Sequence, residues 1–109
     1  MTRPVADLEL TRGDDVTRTF AWRDANGDPI PLTGRTFRAQ IRTQPQAGTA
    51  YPFVVDVDEA AGVVTLTMAK TVTAAIPSGR AWWDIEQTVG GQTTTPFGGR
   101  VTVYPDVTR

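Results

Sequence analysis

The sequence predicts an all-β protein, built as a two-sheet β-sandwich of about seven short strands with Greek-key connections. Short runs of alternating apolar and polar residues recur along the chain, and this period of two is typical of strands with one buried face. Turns containing Gly and Pro separate the runs at intervals of roughly 8 to 15 residues, as in sandwiches. A length of 109 residues suits a single domain. A small barrel is the alternative architecture.

The C-terminal segment, Gly79 to Arg109, is predicted to form one long hairpin that holds two of the three tryptophans. Apolar and polar residues alternate in both of its halves, and Gly90-Gly91 reverses the chain between them. The residues expected to face inward are Ala81, Trp83, Ile85, Val101 and Val103. This hairpin is therefore the predicted centre of the core.

Two short strands are predicted near the N-terminus. Residues 5 to 11 form the first strand, which ends at the turn Arg12-Gly13-Asp14. The second strand covers Val16 to Arg23, and Arg18 is the charged residue on its apolar face. An arginine fits there if the strand lies at a sheet edge, where the guanidinium reaches solvent. The following stretch, Asp24 to Pro29, is a dense turn signal.

The strand over residues 36 to 42 has the cleanest alternation in the chain. Phe37, Ala39 and Ile41 share the face that is expected to be buried. The opposite face carries Arg38 and Arg42 and is therefore expected to be wet and basic. Residues 43 to 50 show no periodicity and are interpreted as a mobile loop.

A second hairpin and a short helix are predicted between residues 51 and 79. Tyr51 to Asp58 and Val63 to Met68 alternate as strands, and the turn lies between Glu59 and Gly62. Val64, Leu66 and Met68 are expected to face inward. The spacing of apolar residues from Lys70 to Ile76 suits about two turns of helix, which Pro77-Ser78-Gly79 stops. This helix is interpreted as the crossover.

Composition narrows the possible functions. The chain has no cysteine and no histidine, so it lacks the commonest metal ligands and general bases, and we predict no enzyme activity, cofactor or metal. The formal net charge of −1 comes from scattered single charges, which disfavours nucleic acid as a partner. No apolar run is long enough to span a bilayer, so no membrane association is expected. We expect the chain to be made and folded in the cytoplasm.

Three charged motifs resemble known sites but are best interpreted as turns. Arg12-Gly13-Asp14 matches an adhesion tripeptide, yet glycine between charged residues is common in turns. Asp24, Asn26 and Asp28 resemble the start of a calcium loop, but no acidic residue stands where the closing ligand would fall. Asp56, Asp58 and Glu59 resemble a weak site for a divalent cation, but the polar end of a hairpin is the simpler interpretation. No catalytic or metal-binding residues are predicted.

Trp82 is the best candidate for a contact residue. If Trp83 points into the core, strand alternation sends Trp82 to the other face, where an uncovered aromatic side chain often marks an interface. The alternative is that the helix or an N-terminal segment covers it. Asp84, on the same face, is expected to pair with Arg38, Arg80 or Arg100 on neighbouring positions.

In its succession of motifs, the chain resembles small tailed-bacteriophage virion proteins related to the immunoglobulin-like N-terminal domain of the upper baseplate protein. The matching motifs run nearly the whole length of the chain in the same order. They are Leu8-Glu9-Leu10-Thr11-Arg12-Gly13-Asp14, Thr19-Phe20-Ala21-Trp22, the turn with Gly27 and Pro29, Ile30 to Gly34, Ala39-Gln40-Ile41-Arg42, Val63 to Met68, Ile76-Pro77-Ser78-Gly79, Trp83-Asp84, Gly99-Arg100-Val101-Thr102-Val103 and Asp106-Val107-Thr108-Arg109.

The resemblance implies a non-enzymatic immunoglobulin-like sandwich that is made in the host cytoplasm and assembles on the virion, in the tail, baseplate or neck. Its partners would be other virion proteins, with a homo-oligomer or many copies per particle. A capsid decoration protein is the rival, and a carbohydrate-binding module is a second alternative. The polar arms, residues 1–6 and 105–109, are expected to order on assembly. The interface residues we expect are Trp82, Tyr104, Arg38, Arg42 and Arg109.

Overall fold

The computed structural model describes residues 6–44 and 47–106, which form eight strands and one helix. The elements in chain order are β1 (Leu8–Thr11), β2 (Val16–Ala21), β3 (Arg35–Gln44), β4 (Ala47–Pro52), β5 (Val54–Asp58), β6 (Val63–Met68), α1 (Lys70–Thr73), β7 (Gly79–Val89) and β8 (Gln92–Tyr104). All strand pairs are antiparallel except β1 with β8, which is parallel. The predicted all-β class is confirmed.

The strands form two sheets that pack face to face as a sandwich. The five-stranded sheet has the order β1-β8-β7-β3-β4, and the three-stranded sheet has the order β2-β6-β5. If β2 is taken as immunoglobulin strand B, β8-β7-β3-β4 corresponds to G-F-C-C′ and β2-β6-β5 to B-E-D, the sheets of a variable-type domain without its last edge strand, and β1 adds a strand beside β8. The immunoglobulin-like sandwich is therefore confirmed, with eight strands instead of about seven.

The core lies between the sheets and follows the predicted alternation. Trp83, Ile85, Val101 and Val103 from the long hairpin are buried together with Ile41. An aromatic cluster fills one end of the core. Its ring pairs, with centroid separations of 5.1 to 5.4 Å, are Phe20–Trp83, Phe20–Phe97, Trp22–Phe37 and Trp22–Phe97. Such contacts stabilise a core beyond the area that they bury.

A β-bulge in β8 sets the register of the long hairpin. Near the Gly90-Gly91 turn, Gln87 pairs with Thr94, whereas Ile85 pairs with Phe97. Two residues of β8, Thr95 and Pro96, therefore stand opposite one residue of β7. Proline lacks the N–H that a regular ladder requires, so a bulge is a position where it is tolerated. Because side chains alternate across a strand, the extra residue determines which alternate residues of β8 beyond the bulge face the core.

The region between residues 43 and 58 differs from the prediction. The mobile loop expected at 43–50 is wrong for its described part, because β3 extends to Gln44 and β4 begins at Ala47. β4 is an edge strand that pairs with β3 through backbone groups, and such pairing needs no alternation of side chains. The strand expected from Tyr51 to Asp58 is also divided. It leaves the five-stranded sheet at Phe53, whose N–H donates to Ala39 O (2.9 Å).

The predicted helical crossover is present but shorter than expected. The helix α1 is one turn, Lys70–Thr73, and further turns continue to the buried Ile76. The buried Thr73 hydroxyl donates to Asp14 O (2.8 Å) and accepts from the Gly13 N–H (3.0 Å), which fastens the β1–β2 turn to the helix. Among the described residues, no helix is long and apolar enough to cross a membrane.

The chain just before β1 crosses the five-stranded sheet at Gly99. The Ala6 N–H donates to Gly98 O (2.9 Å), and the Trp83 indole N–H donates to Ala6 O (2.6 Å). A Cβ on Gly99 would lie 2.7 Å from Ala6 O, so glycine permits this close approach. The last residue of the predicted N-terminal arm is thus tied to the sheet. The rest of that arm, 1–5, and the end of the other, 107–109, lie outside the described residues.

Candidate functional site

The outward side of the five-stranded sheet carries the candidate site, and we call it the outer face. From Ala81 to Glu86, the residues of β7 alternate between buried and half-buried. Trp83 is 2% exposed, whereas its neighbour Trp82 is half-buried on the outer face. Trp82 and Trp83 therefore point to opposite faces of the sheet, as strand alternation predicts. Its indole is therefore accessible in the single chain, although not fully exposed.

Arginines surround Trp82 on the outer face. Trp82 pairs directly with Arg42 of β3 on one side and with Arg100 of β8 on the other. Arg80 lies two residues earlier on β7 and shares the same face, as does Asp84 two residues later. Three arginines and one aspartate thus occupy the positions around Trp82 on this face, a local formal charge of +2 in a chain whose net charge is −1.

Hydrogen bonding holds the Arg42 side chain against Gln40, two residues earlier on β3. With its amide oxygen turned towards the guanidinium, the orientation that satisfies both groups, Gln40 accepts from Arg42 Nε (2.9 Å) and Nη2 (3.1 Å). Arg42 is half-buried, while Arg80 and Arg100 are exposed. Among the described residues, Arg80 and Arg100 have no ion pair with a carboxylate. Their guanidinium groups are available to carboxylates of another molecule.

Arg38 is exposed on the outer face at some distance from Trp82. It lies on β3 directly opposite Glu86 of β7. These two residues border a shallow depression of about 270 Å³, which Thr36, Phe37, Thr88 and Thr93 also line. The depression lies about 13 Å from Trp82, because Glu86 is four residues farther along β7 and each strand residue adds about 3.3 Å. Arg38 therefore belongs to the same face but to a separate part of it.

Two other predicted interface residues do not join the cluster around Trp82. Tyr104, which is 45% exposed, pairs with Thr11 at the far end of β8. It lines a shallow groove with residues of β1, the β1–β2 turn and β2, including Asp15 and Arg18. Arg109 lies outside the described residues. Of the five predicted interface residues, the structure brings together Trp82 and Arg42, with Arg38 farther along the face.

Arg100 was not among the expected interface residues, although it lies directly opposite Trp82. A two-residue turn at Gly90-Gly91 with regular pairing would place Gly99 opposite Trp82. The bulge at Thr95-Pro96 moves the register by one residue and brings Arg100 there. The signal was present in Pro96, because proline inside a regular strand indicates a bulge or an edge.

Two of the three charged motifs that resembled known sites have structural roles. Asp24 Oδ1 accepts from the N–H groups of Asn26 (2.9 Å) and Asp28 (3.0 Å), which closes the turn. Arg12 Nη2 donates to Ala74 O (2.7 Å), and Arg12 Nη1 lies 3.6 Å from Asp106 Oδ1. Within residues 6–44 and 47–106, no group of three Asp, Glu, His or Cys is placed to hold a metal ion.

Asp84 does not lie directly opposite any of the three arginines that were expected to pair with it. Asp84 is half-buried and lies opposite Gln40 of β3 and Gly98 of β8. Each of these arginines lies opposite another residue, Arg38 opposite Glu86, Arg80 opposite Thr102 and Arg100 opposite Trp82.

Arg18, the charged residue on the apolar face of β2, donates to Glu9 O (2.8 Å) at the edge of the sandwich, as expected for an edge strand.

The fold and this site define an immunoglobulin-like β-sandwich whose five-stranded sheet has an aromatic and basic outer face. The family described as "LtfC-like, beta-sandwich domain" matches residues 2–103. This chain belongs to that family. No curated protein matches the sequence.

Three solved structures are similar to this chain in fold. Listeria monocytogenes InlP is 15% identical with a TM-score of 0.48, over 90% of this chain and 26% of that one. The N-terminal domain of phage TP901-1 ORF48 is 16% identical with a TM-score of 0.42, over 95% and 99%. A family 123 glycoside hydrolase from Clostridium perfringens is 13% identical with a TM-score of 0.45, over 97% and 24%. This chain spans about a quarter of the length of the first and third.

Proposed function

We propose that this chain is a non-enzymatic structural domain of a tailed-phage virion, and that its outer face binds a neighbouring virion subunit. The phage assignment is supported by the ordered succession of sequence motifs from Leu8 to Arg109. Membership in a β-sandwich domain family is compatible with it. A tail, baseplate or neck location is part of the proposal, and capsid decoration is the rival location.

The observation that carries the binding role is the position of Trp82. Its indole is half-buried on a sheet face that no other element of the described chain covers completely, with Arg42 and Arg100 directly opposite on the two adjacent strands. Tryptophan and arginine are enriched among the residues that dominate binding energy at protein interfaces. A ring framed by arginines binds apolar surface while the guanidinium groups reach carboxylates or carbonyl groups at its rim.

The absence of enzyme activity is also part of this proposal. The chain contains no histidine and no cysteine, so general-base and thiolate chemistry would need other groups. The half-buried carboxylates of the outer face, Asp84 and Glu86, lie next to each other on one strand. They do not face each other across a cleft, as hydrolysis by a pair of carboxylic acids requires.

Quantitative mass spectrometry of purified particles tests the proposal. We expect the chain in particles, at a few tens of copies or fewer for a tail, baseplate or neck subunit. Several hundred copies per particle would instead establish the decoration role, and absence from particles would contradict the virion assignment.

Binding measurements with glycans separate the carbohydrate-binding alternative. Binding to host cell-wall glycan that Trp82→Ala abolishes would favour the carbohydrate-binding module. The proposal predicts no glycan binding by the wild-type chain and loss of Trp82→Ala chains from particles. Arg23→Glu is a matched surface control, because Arg23 is exposed beside the turn at 24–28, away from the outer face.

A further inference from the structure

The outward side of the three-stranded sheet differs in chemistry from the outer face, and we call it the threonine face. It is built from alternate residues of β2, β6 and β5, whose other residues include the buried Val64, Leu66 and Met68. Its members are Thr17, Thr19, Ala21, Val63, Thr65, Thr67, Val54, Asp56 and Asp58. They include no aromatic residue and no cation, and the two aspartates give the face a formal charge of −2.

The threonine face also has exposed apolar surface. Val54 is 64% exposed, the most exposed large hydrophobic residue of the described chain. Thr67 lies directly opposite Val54, and Thr17 lies opposite Thr67 on the next strand. All the side chains of the face are short, so the surface is low and even. A large ring such as Trp82 can lie against short β-branched side chains without a steric obstacle. The aspartates lie on the edge strand β5, within reach of arginines at the rim of such a contact.

We propose that the outer face of one copy of this chain binds the threonine face of a second copy. This inference rests on the proposed function in one respect, because it assigns a partner to the same binding surface. Trp82 would pack on Val54 and the threonines, and Arg80 and Arg100 would meet Asp56 and Asp58. The local charges of +2 and −2 are complementary, although the whole chain carries only −1.

The geometry of the sandwich determines the kind of assembly that this contact forms. The two faces lie on opposite sides of the molecule, so each copy can bind one neighbour through each face. Such a head-to-tail contact produces a ring if the rotation closes and a run of subunits if it does not. A symmetric dimer through two outer faces is disfavoured, because it would place Arg42, Arg80 and Arg100 of both copies together.

The size of the molecule permits an interface of ordinary area. The described chain measures 44 × 25 × 22 Å, so one broad side is large enough for the roughly 800 Å² that each partner buries in a standard interface. Charged groups lie at the rim of the contact, so salt should weaken association. In a particle, where subunits are held close to one another, a weak contact of this kind is strengthened by effective concentration.

Sedimentation velocity of the full chain, from about 10 μM to about 1 mM, tests the inference with two charge-reversal variants. The wild-type chain is expected to associate with rising concentration. Arg100→Glu disables the outer face, Asp56→Arg disables the threonine face, and each variant alone is expected to stay monomeric. Mixed in equal amounts, they should associate again, because each variant retains the face that the other lost and the two reversed charges are complementary to each other.

The control is Asp28→Arg, which reverses an exposed charge in the turn at 24–28 and should associate like the wild type. A monomeric wild-type chain at the highest concentration would overturn the inference. So would a mixture of the two variants that stays monomeric, or association that Asp56→Arg leaves intact. A monomeric chain found in purified particles would overturn this inference alone. Absence from particles, with self-association intact, would overturn the proposed virion function alone.

Discussion

Trp82 and Trp83 are adjacent in the sequence and have opposite roles in the molecule. Trp83 is 2% exposed, packs on Phe20 at 5.2 Å and donates its indole N–H to Ala6 O. Trp82 is half-buried between two arginines on the outer face. One tryptophan is therefore buried with its N–H hydrogen-bonded within the chain, and the next presents part of its ring to another molecule.

The difference shows how one strand can serve both folding and binding. The inner side of β7 supplies Ala81, Trp83 and Ile85 to the core, and this burial fixes the strand and its neighbours. Because the strand is fixed, the side chains on its other side are held in place at little further entropic cost. Residues positioned in this way on a rigid sheet need little ordering when a partner binds.

The largest effect should come from inserting one alanine between Gly99 and Arg100, beyond the bulge in β8. If the hairpin keeps its pairing, Arg100 and Thr102 would turn towards the core and Val101 and Val103 towards solvent. We expect a loss of at least about 4 kcal/mol in the free energy of unfolding, which few such domains survive. Denaturant unfolding measures this loss. Deletion of Thr95 is the control, because it removes the bulge but leaves Ile85 opposite Phe97 and Trp82 opposite Arg100, and it should cost much less. An insertion as well tolerated as this deletion would contradict the register.

Trp83→Ala should be the next most damaging change. It removes a buried ring and leaves Ala6 O without its donor. Truncation of buried aromatic residues typically costs about 3–5 kcal/mol. Thermal and urea unfolding of this variant, measured beside Trp82→Ala, tests whether the two faces of β7 differ as described. Equal losses from the two substitutions would show that the distinction between the faces is wrong.

Gly99→Ala should have an intermediate effect on the inner side of the same sheet. The new methyl group would lie 2.7 Å from both Ala6 O and Asp7 Oδ1, which forces the crossing segment away from Trp83. Overpacking of this kind costs about 1–3 kcal/mol. Thr102→Ala, on the exposed side of the same strand, is the matched control and should cost less than about 0.5 kcal/mol. The account of this crossing fails if both variants unfold at the same denaturant concentration.

Trp82→Ala should have the smallest effect on stability and a large effect on incorporation into particles. The ring is only half-buried, so its removal should cost about 1 kcal/mol or less. The chain would still fold but lose the centre of its binding face. Immunoblots of purified particles measure its retention. Val89→Ala, which truncates an exposed residue at the hairpin tip, should be retained like the wild type, and equal retention of both variants would contradict the binding role.

Alternation in the sequence was enough to predict the buried faces of most strands. Val64, Leu66 and Met68 on β6 and Trp83 and Ile85 on β7 are all buried as predicted. These strands pack one side against the core, so hydrophobic burial leaves a periodic pattern. β4 could not be found in this way, because its first four residues are only Ala, Gly and Thr, which show no alternation of apolar and polar side chains.

The candidate site was predicted only in part. Trp82 and Arg42 were identified from strand alternation, since both lie on strands with a clear inner face. Arg100 was missed because its position depends on a one-residue bulge that strand periodicity does not report. The divided strand at Phe53 was missed for a related reason. Alternation shows which residues point inward but not which of the two sheets they belong to.

The most direct test of the outer face as a binding surface is hydroxyl-radical footprinting of the two adjacent tryptophans, in the free chain and in purified particles. Tandem mass spectrometry separates oxidation at Trp82 from oxidation at Trp83. We expect Trp83 to be protected in both samples, and Trp82 to be oxidised in the free chain and protected in the particle. Equal oxidation of Trp82 in the free chain and in the particle would contradict the account.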